Sequence, residues 1–162
     1  MIKDAKLTYW TYFDVVLSSN NVNGFELLLD GEPFSYQIIN ISGNIVSCKF
    51  NEGTEILGHE FKLKCGSKVI NIDVTPAIDF KEFDNLYTYN GNDLGATYSE
   101  ISTTFKVWAP LVAKGFVVID NVEYPLNRGP YGVYSAIIEG DLDGKLYLYK
   151  FLINGEWVLV ID

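Results

Sequence analysis

The sequence predicts an all-β fold with two small antiparallel β-sandwich domains in tandem. Apolar and polar residues alternate with a period of two along much of the 162-residue chain, and helical periodicity is almost absent. Aromatic residues, which favour strands, make up 15% of the sequence. Turns rich in Gly and Asn separate the alternating runs at short intervals. These three features are typical of short antiparallel strands that pack in two layers.

The first half of the chain contains one long alternating run and several short ones. Residues 7–17 predict a single strand, with Trp10 and Tyr12 together on its more polar face. Two exposed aromatic rings side by side would offer a flat platform to a ligand, or would be covered by a loop or by the second domain. Further strands are predicted at 25–29, 45–50, 60–64 and 68–74, separated by turns at Asp30-Gly31, Gly43-Asn44, Asn51-Glu52-Gly53 and Gly66-Ser67.

The alternation breaks at residues 76–85, which carry a proline and several charged side chains. We place the domain boundary there, so that the predicted domains are residues 1–84 and 85–162. A second series of strands is predicted at 104–108, 115–119, 133–139, 145–153 and 156–161. Both halves have the strand number and spacing of an immunoglobulin-like sandwich.

The last two strands form a hairpin whose register can be predicted. Asn154-Gly155 between apolar runs indicates a two-residue type I′ turn, because both residues tolerate a positive φ. Such a turn pairs Leu152 with Trp157 and Lys150 with Leu159. The more apolar face, which includes Val158 and Val160, is then expected to lie in the core. Lys150 and Trp157 share the opposite face on a diagonal, where an indole can stack on a sugar ring and an ammonium can bond its hydroxyls.

Composition and charge exclude several classes of partner. The net charge of −9, with no basic stripe, disfavours nucleic acid and anionic membranes. The start of the chain has no apolar signal-peptide region, so we expect a cytoplasmic location, with secretion of a longer parent left open.

Cys48 and Cys65 are expected to be buried thiols on adjacent strands, with a disulfide bridge as the alternative. His59 is expected to be a surface residue in a turn. We expect no metal and no cofactor.

The second half contains five motifs in a characteristic order. They are Tyr89-Asn-Gly-Asn-Asp-Leu-Gly-Ala-Thr-Tyr98, Thr104-Phe-Lys-Val-Trp-Ala-Pro110, Glu139-Gly-Asp-Leu-Asp-Gly144, Tyr149-Lys-Phe and Asn154-Gly-Glu-Trp157. In this order the second half resembles type I pullulanases, where such motifs span carbohydrate-binding module family 48, ahead of the catalytic barrel of glycoside hydrolase family 13. The first half resembles, chiefly by position, the family 68-like module of the same enzymes.

The resemblance extends to the glycogen-binding module of the AMP-activated kinase β subunit. It implies that Lys150 and Trp157, the two residues that the hairpin geometry selects, correspond to a sugar-binding Lys and Trp of that module. The relative's second stacking Trp has no counterpart in the loop predicted at residues 120–123, so the site is half present. Because such modules also pack on the barrel without holding sugar, docking is the alternative role of the pair. Trp108 is expected to be a packing residue at a strand end.

The sequence does not support catalysis by this chain. Retaining glycoside hydrolysis needs two carboxyl groups about 5–5.5 Å apart, and Asp141 and Asp143 have the pattern of a solvated turn. An eight-fold βα barrel needs about 250 residues, so we expect the barrel to be absent from this chain. The hypothesis is a non-catalytic region that binds α-glucan (starch, pullulan, glycogen or maltooligosaccharide) for a debranching enzyme acting on α-1,6 bonds, with that enzyme's barrel as a partner. The alternatives are domains that only brace the barrel, and a protein-interaction module.

Overall fold

In the computed structural model of the chain, residues 1–19, 24–51 and 55–162 are described. They form two compact units, Met1–Asp84 and Asn85–Asp162. Each unit contains two four-stranded antiparallel sheets. None of the helices in the described ranges has the length and apolar character needed to cross a membrane.

The first unit has two sheets with the strand orders β1-β2-β6-β5 and β4-β3-β7-β8. Their inward side chains meet in one core, in which the rings of Phe50 and Phe61 lie 4.8 Å apart. Both rings are almost fully buried. The strands are β1 (Ile2–Tyr9), β2 (Tyr12–Leu17), β3 (Glu26–Leu29), β4 (Glu32–Pro33), β5 (Tyr36–Ser42), β6 (Ile45–Phe50), β7 (Phe61–Cys65) and β8 (Lys68–Asn71).

The predicted single strand at residues 7–17 is wrong, because the chain reverses in its middle. Trp10 and Thr11 form a tight turn, and Tyr9 pairs with Tyr12 across the β1–β2 hairpin. Thr11 has a φ of 70°, a conformation that a β-branched residue rarely adopts. No Gly, Asn or Pro marks this turn, so the alternation continues through it in the sequence. The predicted turn at Asp30-Gly31 is confirmed, with positive φ at both residues; that at Asn51-Glu52-Gly53 falls mostly outside the described residues.

The segment between the two series of strands is helical. A 3₁₀-helix spans Thr75–Asp79, with a proline in its first turn where the missing N–H costs nothing. Helix α1 follows at Lys81–Tyr87. The sequence predicted a break in alternation here but no helix.

The second unit has the sheet orders β13-β14-β10-β9 and β12-β11-β15-β16. Inward side chains of both sheets form one core, with Phe105 from the first sheet and Tyr149 and Phe151 from the second. A 3₁₀-turn at Pro130–Gly132 precedes β14. The strands are β9 (Gly95–Tyr98), β10 (Ser102–Trp108), β11 (Lys114–Ile119), β12 (Val122–Pro125), β13 (Asn127–Arg128), β14 (Val133–Glu139), β15 (Tyr147–Ile153) and β16 (Glu156–Val160).

The predicted fold class, all-β with sandwich domains, is confirmed. Two other expectations are corrected. Val158 and Val160 are each 38% exposed rather than in the core, because β16 is an edge strand of its sheet. Cys48 lies on β6 and Cys65 on β7, which belong to different sheets, so the two cysteines are not on adjacent strands. Neither cysteine forms a disulfide; Cys48 is buried as predicted, whereas Cys65 is only partly buried.

Candidate functional site

The β15–β16 hairpin presents Lys150 and Trp157 on the outer face of its sheet. Asn154 and Gly155 have φ values of 51° and 78°, as a type I′ turn requires. The pairs Ile153↔Glu156, Leu152↔Trp157 and Lys150↔Leu159 follow, so the predicted register is confirmed. Lys150 and Trp157 therefore lie on a diagonal of the same face.

The ammonium and the indole are close neighbours. Lys150 Nζ lies 5.0 Å from the centroid of the Trp157 ring, within the range of a cation–π contact. The ring of Phe116, on β11, lies 5.7 Å from that of Trp157 at an interplanar angle of 37°. Trp157 remains 45% exposed, so the indole is supported by its neighbours without being sealed inside the unit.

Glu123 adds a carboxylate that the sequence did not predict. Its Oε1 accepts a hydrogen bond from Lys150 Nζ at 2.7 Å. Residues 120–123, predicted to be a loop, instead form a turn at Asp120-Asn121, with φ values of 51° and 62°, and the start of β12. The Asp120-Asn121 pair between two apolar runs was the sequence signal that could have predicted this turn, because Asp and Asn also tolerate a positive φ.

These side chains border a shallow depression of about 360 Å³. Its base is aliphatic and its border carries an amine, a carboxylate, an amide and an indole. We call it the outer-sheet site. It is lined by Val118, Asn121, Glu123, Leu148, Lys150, Trp157 and Leu159. An exposed ring next to one charged donor and one charged acceptor suits a flat, polyhydroxylated, uncharged ligand, whose apolar face can stack while its hydroxyls are bonded.

The motif at Tyr89–Asp93 has a structural role in the same unit. The hydroxyl of Tyr89 donates to the carboxylate of Asp93, and Lys106 Nζ donates to Asp93 Oδ2 at 2.5 Å. These two hydrogen bonds lower the pKa of Asp93, first through Lys106 and then through Tyr89. A side chain at Gly91 would overlap the Tyr89 ring, so the glycine is required for this close wrapping. The network fastens the segment before β9 to β10.

The first unit does not bring Trp10 and Tyr12 together as predicted. Trp10 lies in the β1–β2 turn, whereas Tyr12 begins β2 and faces Lys49, whose Nζ lies 5.6 Å from its ring centroid. The prediction that Trp10 and Tyr12 share one face of a single strand is therefore wrong. Both side chains are half-buried, and their role in ligand binding stays a prediction.

The remaining predicted residues have ordinary surroundings. Trp108 ends β10, is 42% exposed, and donates from Nε1 to the carbonyl of Tyr87 at 2.7 Å, which fits a packing role. His59 Nδ1 lies 2.7 Å from Asp30 Oδ2. Asp141 Oδ1 accepts from the hydroxyl of Tyr98 at 2.7 Å and from the backbone N–H of Asp143. Within the described ranges no group of His, Cys, Asp and Glu side chains is arranged to hold a metal ion.

Comparison with known proteins identifies relatives of both the whole chain and its second half. Residues 93–162 match the family carbohydrate-binding module 48 (isoamylase N-terminal domain). A pullulanase of Bacillus subtilis strain 168 is 31% identical over 109 residues, which cover 64% of this chain and 15% of that protein. The predicted resemblance to pullulanases and to this module family is confirmed. The family 68-like character of the first half stays a prediction.

Solved structures show the same relationship. The pullulanase of Anoxybacillus sp. LM18-11 complexed with maltotetraose superposes with a TM-score of 0.79 and 26% identity, over 97% of this chain and 23% of that one. The type I pullulanase of Bacillus subtilis strain 168 complexed with maltose gives a TM-score of 0.80 at 23% identity, over 98% of this chain and 24% of that one, which shows the shared fold. The chain thus spans less than a quarter of the length of these relatives.

Proposed function

We propose that this chain, whose residues 93–162 match carbohydrate-binding module 48, binds α-glucan without cleaving it, as an accessory region of a pullulanase-type debranching enzyme. The observation that carries the proposal is the outer-sheet site, where an exposed indole lies 5.0 Å from an ammonium. A module family alone does not specify a ligand. The site adds the chemical features that a glucose polymer needs.

The ligand class is argued from the chemistry of the site. Trp157 offers an apolar face for a pyranose ring, while Lys150 donates and Glu123 accepts hydrogen bonds at the ring's edge. The two charges compensate each other through their 2.7 Å hydrogen bond, which favours an uncharged ligand over an anion. The maltotetraose and maltose in the related pullulanase structures support an α-linked glucan. Starch, pullulan and glycogen all present such chains.

A stacked sugar must share the indole with the ammonium. In the free chain Lys150 lies over the Trp157 ring and is held by Glu123. On binding, the ammonium exchanges part of its contact with the ring for a sugar hydroxyl. An interaction of this kind is weak, because the site is shallow and a single ring supplies the stacking area.

Binding by this region would raise the local concentration of glucan for the enzyme and would take no part in bond cleavage. A weak site on the same polypeptide keeps the polymer near a catalytic domain and raises its effective concentration. We propose that this domain is a glycoside hydrolase barrel that acts on α-1,6 bonds, and that the protein acts in the cytoplasm. The carboxylates of the outer-sheet site and of the Asp141 turn are assigned no catalytic role.

Isothermal titration of the chain with maltotriose, up to tens of millimolar, tests the proposal. We expect a saturable heat that the Trp157→Ala substitution reduces by at least tenfold in affinity, since a central aromatic anchor carries most of the energy of a small site. Val69→Ala, an exposed aliphatic on β8 of the other unit, is the control and keeps wild-type affinity. Absence of heat at every concentration would contradict the proposal and favour a domain pair that only braces the barrel.

A further inference from the structure

A second cavity lies at one end of the second sandwich, away from the outer-sheet site. It has a volume of about 150 Å³ and is partly open to solvent. Its lining residues and those of the outer-sheet site have no member in common. A cavity of about this size holds a single six-membered ring.

The inner end of the cavity carries a hydroxyl with no partner. Thr103, on β10, lines the cavity and is only 4% exposed. Its Oγ1 has no hydrogen-bond partner among the described residues. A buried hydroxyl left unpaired destabilises a protein, so most native hydroxyls in such positions are bonded to protein, to water or to a ligand. Thr103 therefore brings an unpaired hydroxyl to the lining of the cavity, and a polar group of a guest would give it a partner.

The walls of the cavity are aromatic and held in place. Tyr98, Phe105 and Tyr147 line it, and the rings of Phe105 and Tyr147 meet edge to face with centroids 4.8 Å apart. The hydroxyl of Tyr98 donates to Asp141 at 2.7 Å, and the hydroxyl of Tyr147 donates to the carboxylate of Asp162. Both phenol rings are thus oriented without a ligand, which lowers the entropic cost of binding one.

The border of the cavity supplies a further hydrogen-bond acceptor and a further donor. Asp143 and Lys145 line it and are exposed. Lys145 Nζ is already held by Asp120 at 2.8 Å. The combination of aromatic walls, an inner hydroxyl, and a carboxylate and an amine at the mouth is complementary to a small polyhydroxylated ring.

We propose that the Thr103 cavity binds one terminal glucose ring of a glucan chain, as a second site that recognises chain ends. The choice of glucose rests on the proposed function, whereas the size of the ligand and its polar contact rest on the cavity itself. Space for one ring admits the terminal residue of a chain, whereas a ring in the middle of a chain carries a neighbour on each side, for which the cavity has no room. The outer-sheet site, at about 360 Å³, has more room.

The experiment is an NMR titration of the ¹⁵N-labelled full chain with two glucans, observed at both sites. The amides of Ala96 and Gly144 report on the Thr103 cavity, which they line, and the indole N–H of Trp157 reports on the outer-sheet site. With maltohexaose, which has ends, we expect saturable shifts at both sites. With β-cyclodextrin, a closed ring without ends, we expect the shift at Trp157 alone.

Two matched substitutions on β10 test the inner hydroxyl. Thr103→Val keeps the shape and removes Oγ1, and we expect maltohexaose binding at the cavity amides to weaken about tenfold. Thr104→Val makes the same chemical change on the next residue, whose side chain faces out of the sandwich, and leaves the titration unchanged. Wild-type binding by Thr103→Val would overturn the proposal, even if that variant is more stable.

The outcomes separate the two proposals. Shifts of Trp157 without shifts of Ala96 and Gly144 would overturn the Thr103 cavity and leave the proposed function standing. Shifts of Ala96 and Gly144 without Trp157 would support the cavity and contradict the outer-sheet site. Equal shifts of the cavity amides with β-cyclodextrin and with maltohexaose would overturn the recognition of chain ends.

Discussion

Lys150 Nζ lies 5.0 Å above the ring of Trp157 and 2.7 Å from Glu123 Oε1, so one ammonium joins an indole from β16 to a carboxylate from β12. The three side chains come from three strands of one sheet, and β11 and β15 lie between the outer two. Their arrangement therefore depends on two type I′ turns, at Asp120-Asn121 and at Asn154-Gly155.

The hairpin turn should be sensitive to a side chain at Gly155. Gly155 has a φ of 78°, and a Cβ in the left-handed region costs about 1–2 kcal/mol. We expect Gly155→Ala to lower the free energy of unfolding by about that amount, measured in urea, and to weaken maltotriose binding. Gly24→Ala, the control, adds a Cβ where the φ is not left-handed and nothing lies within 4 Å, and should change stability by less than about 0.5 kcal/mol. An unchanged Gly155→Ala protein would show that this turn does not hold the hairpin.

Glu123 should help binding by holding the ammonium in place. Glu123→Gln removes the charge, so Lys150 gains rotamers that must be lost again on binding, and we expect an affinity for maltotriose about threefold weaker by calorimetry. Stability should change by less than about 0.5 kcal/mol, because both partners are partly exposed. Glu60→Gln, which removes the ion pair with Lys62 in the first unit, is the control. Tighter binding by Glu123→Gln would mean that the carboxylate competes with the sugar.

Two glycines with the same backbone conformation should differ in their tolerance of alanine. Gly132 and Gly144 have φ values of 71° and 73°, so the strain of a left-handed alanine is the same at both. A Cβ at Gly132 would also lie 2.7 Å from the Cα of Pro110, whereas nothing lies within 4 Å at Gly144. We expect Gly144→Ala to cost about 1–2 kcal/mol and Gly132→Ala at least about 2 kcal/mol more. Equal urea midpoints for the two variants would contradict the close approach of the Pro130–Gly132 turn to Pro110.

The first unit should lose stability at alkaline pH through Cys48. Burial, with a smaller effect of the Asp14 carboxylate, raises the pKa of this thiol to about 12, against about 8.5 for an ordinary cysteine. The unfolded chain then releases the proton first, so the stabilisation is complete below the unfolded pKa and is lost as pH rises towards the folded pKa. At pH 10 the free energy of unfolding is therefore lower by about 2 kcal/mol than it is below the unfolded pKa.

Urea unfolding at pH 8 and pH 10, with Cys48→Val as the comparison, measures this effect. The variant should lose about 2 kcal/mol less between the two pH values than the wild type, because its side chain does not titrate. In the native wild type, Cys65 should react with a thiol reagent well before Cys48, which is fully buried. Parallel losses of stability in the two proteins would contradict the assignment.

The parts of the fold that the sequence predicted correctly are those with explicit local signals. Asn154-Gly155 determined a turn type, a register and a shared face, and Ile45–Phe50 and Val133–Glu139 match the predicted strands. The hairpin at Trp10-Thr11 could not be predicted, because its turn contains no Gly, Asn or Pro and its positive φ falls on a β-branched residue that disfavours it. Strand β5 was missed because its register shifts between Ile38 and Asn40, which breaks the period-two pattern.

The candidate site was only half predictable for a related reason. Lys150 and Trp157 belong to one hairpin, so a local rule places them together. Glu123 reaches Lys150 only through the order β12-β11-β15, a pairing that no short-range signal specifies. The Thr103 cavity depends on the contact between two sheets, and no sequence pattern marks an unpaired hydroxyl.

The claim that glucan stacks on the outer face of β16 is tested most directly by the fluorescence of individual tryptophans. In a Trp10→Phe/Trp108→Phe variant, Trp157 is the one remaining indole of the three in the chain. Titration with maltohexaose should then change its emission saturably, while a Trp10→Phe/Trp157→Phe protein, which keeps only Trp108, should show no change. A response that persists when only Trp108 remains, or is absent when only Trp157 remains, would contradict the account.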